Sequence, residues 1–283
     1  GEYELVADRG PDDNSSRSEP RRVTVRGSDV TGIELRLLPT ATIAGRIAIE
    51  PSPNVCAPKA KATLPEVTLY PRRESKPTDS PAHTVRYNQV FAPNEQGEFK
   101  LTTLSATRYR LEFSLPTENW FVKSISSSNS TSASTKPAAI ADLGRSGIAL
   151  KSGERLTGVT VTIADGAASL RGKVMSSKDG GKLPARLRVH LVPAEPTATD
   201  DVLRFGEVLT SDGSFAFTNF APGKYWLLAK PIADNESADR LPPPVAWDAA
   251  ERLKLRKAVE AAKNEIELKP CQRVKDHLLR WQE

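Results

Sequence analysis

The sequence predicts an all-β protein: tandem Ig-like antiparallel β-sandwiches with one helix near the C-terminus. Three observations predict it. Gly213-Ser214-Phe215-Ala216-Phe217-Thr218-Asn219-Phe220-Ala221-Pro222-Gly223-Lys224-Tyr225 reads as strand, tight turn, strand. The stretch has a second copy upstream, where Gly97, Phe99, Leu101, Leu104 and Tyr109 match Gly213, Phe215, Phe217, Phe220 and Tyr225 without a gap. A partial third copy opens the chain, Gly1-Glu2-Tyr3-Glu4-Leu5 matching Gly223-Lys224-Tyr225-Trp226-Leu227. At 283 residues the chain is long enough for two domains, each with its own core. The expected division is residues 1–26 as the stub of a preceding module and a linker, 27–150 as the first complete sandwich, 151–235 as the second, and 236–283 as a C-terminal helix and final strand.

The opening segment Gly1–Ala7 alternates Tyr3, Leu5 and Ala7 with Glu2, Glu4 and Val6, the period of two of a half-buried strand. Asp8–Arg21 is polar and reads as a loop, with Val23–Arg26 extended after it. Ile33, Leu35 and Leu37 alternate with Glu34 and Arg36, which predicts a strand, followed by Ala41–Ile49 with Gly45 inside it. The second module repeats the pair: Thr157–Ile163, then Ser169–Met175 with Gly172. A glycine inside a strand marks a bulge or a close backbone approach, so both copies should share one kink.

Pro51–Pro65 is a Pro- and Ala-rich insertion, replaced in the second module by a turn at Asp179-Gly180-Gly181. Val67–Tyr70 and Val85–Phe91 are expected strands, with Arg186–Val192 and Val202–Thr210 as their counterparts. Gly97 and Gly213 each follow a polar residue and suit turns that need positive φ. Tyr109, Leu111 and Phe113 should face a core, and Arg108, Arg110 and Glu112 water. Pro222-Gly223 predicts a tight turn before Tyr225, and Ala106-Thr107 in the first module predicts a different one. Trp120–Ile125 and Ile148–Leu150 are further strands, around the Ser/Thr-rich loop Ser126–Thr135.

The strand from Tyr225 is apolar on both faces, because Trp226 and Leu228 alternate with Tyr225, Leu227 and Ala229. Such a strand is covered on both sides. The predicted cover is a helix over Asp248–Lys263, with Asp248 as N-cap, Glu251 completing a capping box, and Leu255, Ala258, Val259 and Ala262 on one face. It should lie near Trp226. Glu265–Leu268 repeats the Ile33–Leu37 pattern, and Val274–Trp281 fits a strand or a helix.

Charge and composition exclude several function classes. The net charge is +5 with a pI near 9.2, but the 40 basic and 35 acidic residues are interspersed, a solvated surface and not a nucleic-acid footprint. No apolar run approaches the length of a membrane span. No leader-like segment opens the chain, and Met175 is the only methionine, so Gly1 reads as the first residue of a fragment or trimmed form. Cys56 and Cys271 are far apart in sequence, and two free thiols are expected rather than a disulfide.

The three histidines, His83, His190 and His277, have no second ligand at metal spacing, so neither a metal site nor a cofactor is expected. His190 shares a strand face with Arg186 and Arg188, which predicts a solvated position. No nucleophile elbow, phosphate-cradling loop or acid–base carboxylate pair is present, and no catalytic residue is assigned. A Lys–Asn isopeptide, as in some surface adhesins, would pair Lys173 with Asn219; the plainer reading of Lys173 is a surface lysine. Tryptophans are the remaining signal. Trp120 and Trp281 are the candidate ligand-binding residues, able to stack on sugar rings if exposed; Trp226 and Trp247 are expected to pack on each other's elements.

Thr157-Gly158-Val159, Gly172, Gly213-Ser214-Phe215 and Pro222-Gly223-Lys224-Tyr225 together resemble the carboxypeptidase regulatory-like domain, over roughly Thr31–Ile125 and Thr157–Pro231 and the leading stub. The chain looks especially like multi-module versions in bacterial secreted or envelope proteins, which can end in a helix and a strand like Ile266–Pro270. The resemblance implies a transthyretin-like β-sandwich with a carbohydrate-binding-like fold, an extracytoplasmic location and usually no catalysis. The resulting expectation is a non-catalytic repeat array that docks or spaces an envelope protein or glycan. The alternative is a carbohydrate-binding array, which requires exposed, coplanar aromatics; the structural reading requires buried ones.

Overall fold

The structure is a computed structural model and describes residues 1–10, 15–51, 53, 56, 62–74, 90–128, 140–177, 181–232 and 244–281. His83, most of Val85–Phe91, much of Pro51–Pro65 and the centre of the Ser/Thr-rich loop lie outside the described residues. The chain forms two compact units. The first comprises Gly1–Ile47, Leu64–Ser114 and Ser126–Thr160, and the second Ala48–Thr63, Leu115–Ile125 and Val161–Glu283.

The first strands are short: β1 (Glu2–Leu5), β2 (Asp8–Arg9), β3 (Ser16–Ser18), β4 (Arg21–Thr24) and β5 (Leu37–Pro39). β1 pairs only with β4, in register Glu2–Thr24 to Leu5–Arg21. Among the described residues β1 has this one strand partner, its alternating pattern gives no buried face, and Tyr3 is 57% exposed. The polar segment after β1 is more ordered than its composition suggests, since β2-β3-β5 form a sheet. Ile33–Leu37 is not the strand its alternation predicts. Residues 31–36 lie in no strand, and only Leu37–Pro39 pairs, against β3.

The strands between Ala41 and Asp165, of which β10 up to Ile125 and the ends of β6 and β13 fall in the second unit, are β6 (Ala41–Glu50), β7 (Thr68–Arg73), β8 (Glu98–Leu104), β9 (Arg108–Ser114), β10 (Trp120–Ser127), β11 (Ala141–Asp142), β12 (Ile148–Ala149) and β13 (Arg155–Asp165), with a four-residue helix α1 (Leu143–Ser146). They form two sheets, β11-β10-β13-β6-β8 and β12-β9-β7. The buried residues lie on their facing sides: Ile43, Ile47, Leu101 and Val159 from one sheet, Leu69, Tyr109, Leu111 and Ile148 from the other. This is a β-sandwich.

The second unit repeats it. Its strands are β14 (Ala168–Ser176), β15 (Leu187–Pro193), β16 (Gly206–Thr210), β17 (Ser214–Phe220), β18 (Gly223–Pro231), β19 (Glu265–Leu268) and β20 (Arg273–Trp281), with helix α2 (Ala249–Ala262). Sheet β17-β14-β20 packs on sheet β16-β15-β18-β19. Leu170, Val174, Phe215, Phe217 and Leu279 from the first meet Leu187, Val189, Leu191, Tyr225, Leu227 and Leu268 from the second. Val274–Trp281 resolves as strand β20, and it runs parallel to β14. The other strand pairs of the second unit are antiparallel.

The repeat extends to single backbone angles. β8 and β17 each pair antiparallel with the Gly-containing strand, and each register shifts by one residue, between Ala41 and Ile43 and between Ala168 and Leu170. Beside each shift sits a residue in the left-handed region, Thr103 at φ 58° and Asn219 at φ 62°. Asn tolerates this conformation and a β-branched residue does not. Thr103→Asn is therefore expected to stabilise the protein by about 1 kcal/mol. The urea midpoint reads the gain, and Thr102→Asn, one residue away and outside the left-handed region, should not reproduce it.

Gly45 and Gly172 mark the same close approach. A Cβ on Gly45 would collide with the Val159 carbonyl oxygen and stand 2.8 Å from Phe99 Cζ. A Cβ on Gly172 would collide with the His277 carbonyl oxygen and stand 2.6 Å from Phe215 Cζ. Each glycine strand lies under the aromatic ring of its antiparallel neighbour, with no room for a side chain.

Candidate functional site

Two features of the second unit concentrate polar chemistry: the turn before Tyr225 and the outer face of sheet β16-β15-β18-β19. The turn comes from the repeat itself. Tyr225 is fully buried, and its hydroxyl donates to the Ala221 carbonyl at 2.6 Å. Tyr109 does the same with Ser105 at 3.2 Å, so each tyrosine ties its strand to the residue four positions back. Such a bond fixes the corner where one strand hands over to the next. Burial pushes the Tyr225 phenol up to about 12, with Arg204 opposing the shift, and raises Tyr109 as well.

Around Tyr225 the corner carries an ion pair. Arg204 lies over the ring at 4.9 Å, donates from Nε to the hydroxyl at 3.1 Å and pairs with Glu195 at 2.8 Å. Glu195 also accepts from the Lys224 backbone N–H at 2.8 Å. A Cβ at Gly223 would collide with Arg204 and stand 2.6 Å from the Glu195 carboxylate, which is why the second module has Pro-Gly here. The first module has Ala106-Thr107, and there the Thr107 carbonyl accepts from Leu150 N–H. Nothing in the spacing of Glu195 and Arg204 relates them to Tyr225; only the fold does. Tyr225→Phe removes two bonds, the one to Ala221 and the one from Arg204, and strands the Arg204 donor in a partly buried position. It should cost about 2 kcal/mol, against about 1 kcal/mol for Tyr109→Phe, readable from paired urea titrations.

The outer sheet face is covered as Trp226 and Leu228 require. Helix α2 packs there through Leu255 and Val259, against Val192, with Trp226, Leu228, Phe205 and Val245 around them. Asp248 caps the helix by accepting from the Ala250 and Glu251 N–H groups, and these bonds hold its carboxyl below the usual range. Glu251 pairs with Lys254 at 2.7 Å. The buried stripe is Arg252, Leu255, Arg256 and Val259 rather than the expected Leu-Ala-Val-Ala face. Arg256 stacks on Trp226 at 5.2 Å and donates to the Pro193 carbonyl, and Arg252 donates to the Ala246 carbonyl. In the first unit the same position, Arg110, is also buried rather than solvated. It donates to the Gly144 and Arg145 carbonyls of α1 and pairs with Glu74 at 2.7 Å.

His190 is corrected by the same cover. It lies on the outer face of β15, opposite Leu228, and is only 3% exposed because α2 and residues 244–247 close over that face. Desolvation pushes it down to about 3, helped by the positive charges of Lys230 and Arg188. Its ring makes no hydrogen bond among the described residues, and the nearest carboxylate, Glu207, is 3.9 Å away. Glu207 itself accepts from Val245 N–H. His190 faces a recess of about 150 Å³ lined also by Arg188, Lys230, Glu251, Lys254 and Leu255.

The candidate aromatics take other places. Trp120 is buried, 8% exposed, and its carbonyl accepts from the Asn219 side-chain amide at 2.7 Å. Trp281 is half-buried against the second unit's core. Trp226 and Trp247 are half-buried too, and Arg256 lies over the Trp226 ring. The structure does not bring Trp120 and Trp281 into one stacking platform. Asn219 spends its amide on the Thr117 and Trp120 carbonyls, and Lys173 is exposed. That is a structural role for Asn219, not isopeptide chemistry.

The cysteines are corrected as well. Cys56 and Cys271 form a disulfide, with Cα atoms 5.3 Å apart. Asp165 accepts from Cys56 N–H at 3.1 Å, and Cys271 N–H donates to the Gly166 carbonyl at 3.1 Å, so the bridge is held by the backbone on both sides. Cys56, Asp165 and Cys271 are the one close group of three potential metal ligands among the described residues, and the two sulfurs are spent on each other. Among the described residues no helix is long and apolar enough to cross a membrane.

No family model matches the chain, and no curated protein matches it. Among solved structures it is similar to the Bacillus anthracis TIE protein, at 10% identity and a TM-score of 0.26, over 99% of this chain and 41% of that one. It is similar to a minor pilin of Streptococcus agalactiae, at 12% identity and 0.25, over 86% and 97% of the two chains. The shaft pilin of Lactobacillus rhamnosus GG gives 9% and 0.24, over 86% and 98%. The chain spans about two fifths of the first of these.

Proposed function

We propose that this chain is a non-catalytic array of β-sandwich modules that serves as a structural or protein-interaction part of a bacterial envelope or secreted protein. The observation that carries the reading is the Cys56–Cys271 disulfide, which encloses 215 residues of sequence separation. Disulfides persist in oxidising compartments, which favours an extracytoplasmic location. Supporting it, the aromatic residues that a glycan platform needs are used in packing. The repeat motif keeps the finer reading as carboxypeptidase regulatory-like modules. Its two copies share the tyrosine corner, the glycine crossing and the left-handed bulge residue.

A structural role makes a mechanical prediction. Pulled from its ends, the oxidised chain can pay out only residues 1–55 and 272–283. At 3.3–3.6 Å per residue that is roughly 240 Å of contour, against roughly 1000 Å for the reduced chain. Single-molecule stretching with and without reductant measures both. Equal extensions in the two states would remove the structural reading. A saturable tryptophan fluorescence change with soluble polysaccharides would revive the glycan one.

A further inference from the structure

We infer that the recess beneath helix α2 is a binding site for a phosphate group, formed by Arg188, Lys230 and Lys254 around the buried imidazole of His190. Arg188 and Lys230 are directly opposed across β15 and β18. Like charges in that arrangement repel. Lys254 adds a third cation from the helix, and a recess of about 150 Å³, room for one compact group, lies among them.

The charged groups facing the recess can be named element by element. β15 gives Arg188 and His190, β18 gives Lys230, and α2 gives Glu251 and Lys254. Glu251 is engaged with Lys254, and Glu207 on β16 is held by Val245 N–H. Among the described lining residues the balance is positive. His190 is more than nine-tenths buried, faces this space and lacks a hydrogen bond among the described residues. A buried polar ring in that state wants a partner. A phosphate oxygen would supply an acceptor for its N–H and offset the cations. The three cations offer charge-assisted bonds to the remaining oxygens. Bound phosphate would also favour the imidazolium, so His190 should become easier to protonate when the site is filled.

The test is nuclear magnetic resonance of the full chain with ¹⁵N-labelled histidine, whose ring signals come from only three residues, His83, His190 and His277. His190→Gln identifies the relevant one. Inorganic phosphate is titrated up to about 50 mM at constant ionic strength set by chloride, a range that detects millimolar affinity. The expected result is a saturable movement of the His190 signals while His277 stays still. Lys230→Gln with Lys254→Gln should weaken it by roughly tenfold or more, as loss of charge-assisted bonds implies. Lys254 is exposed, so Lys254→Gln alone keeps the fold and should already weaken binding. Dimethyl phosphate forms a second arm: if it also binds, the source is a phosphodiester polymer; if only inorganic phosphate binds, it is a free or terminal phosphate. No movement of His190 with either compound, or the same movement in both lysine variants, overturns the site.

Discussion

Reducing Cys56–Cys271, or replacing both as Cys56→Ser with Cys271→Ser, is expected to lower the unfolding free energy by about 3–5 kcal/mol. The physical source is the unfolded chain. A bridge across 215 residues removes much of the freedom that chain would otherwise gain. In the folded state the bridge costs little to form, because Asp165 and the Gly166 carbonyl already hold the two cysteine backbones. Urea unfolding of the oxidised and reduced protein measures the difference. A loss below about 1 kcal/mol would mean that the reduced chain keeps its ends together without the bond.

Lowering the pH from 7 towards 4 is expected to destabilise the protein through His190, by about 1.4 kcal/mol per pH unit over the steep part of the range. The unfolded histidine takes up a proton near 6.5, and the native one near 3. Between those values the unfolded chain holds more proton, so stability falls as pH falls. Above pH 7 both states are neutral and the contribution is constant. The cause is burial under α2, with Lys230 and Arg188 adding repulsion. Asp248 and Asp212 also sit below their usual values, through backbone bonds from Glu251 and Ser214. Their stabilisation is lost at lower pH, through the carboxylate range and below it, so the window between pH 4.5 and 6.5 belongs to the histidines, with His190 first and His277, which partial burial also lowers, adding in the same sense. His190→Leu should flatten the slope there. Urea midpoints at pH 7 and pH 5, in chloride buffer, decide it; an equal slope in both proteins would place the titration elsewhere.

Much of the architecture was legible because it depends on short-range pattern. The doubled Gly-x-Phe and Tyr stretches gave β8, β9, β17 and β18 where expected. Trp226 and Leu228, apolar on the face that should be wet, announced a cover, and Asp248 located the start of that cover. The helix signal was local: a cap residue and an apolar stripe. The reading failed where local alternation found no partner. Ile33–Leu37 has the period of a strand, but no sheet edge receives residues 31–36.

The candidate site was less legible, because its members meet only across the sheet. Arg188 and Lys230 are neighbours through strand register, which no spacing in the sequence displays. Arg110 and His190 alternate with core residues, and alternation assigns such positions to water. Whether they meet water depends on what lies over the sheet, and α1 and α2 lie there. The same holds for Glu195, Arg204 and Asp165, each working on a residue distant in the chain.

By itself the sequence determined that this protein is a repeat of β-sandwich modules, with glycine at the two crossings and tyrosine at the two corners. Those features are set by backbone angles and by the period of two along a strand. Tertiary structure alone decided that β20 closes its sheet in parallel, that Cys56 meets Cys271, that Trp226 and Trp281 pack against the cores, and that His190 is buried beside three cations. Each of these depends on pairing between distant segments, and burial and electric field are properties of that pairing rather than of any stretch of chain.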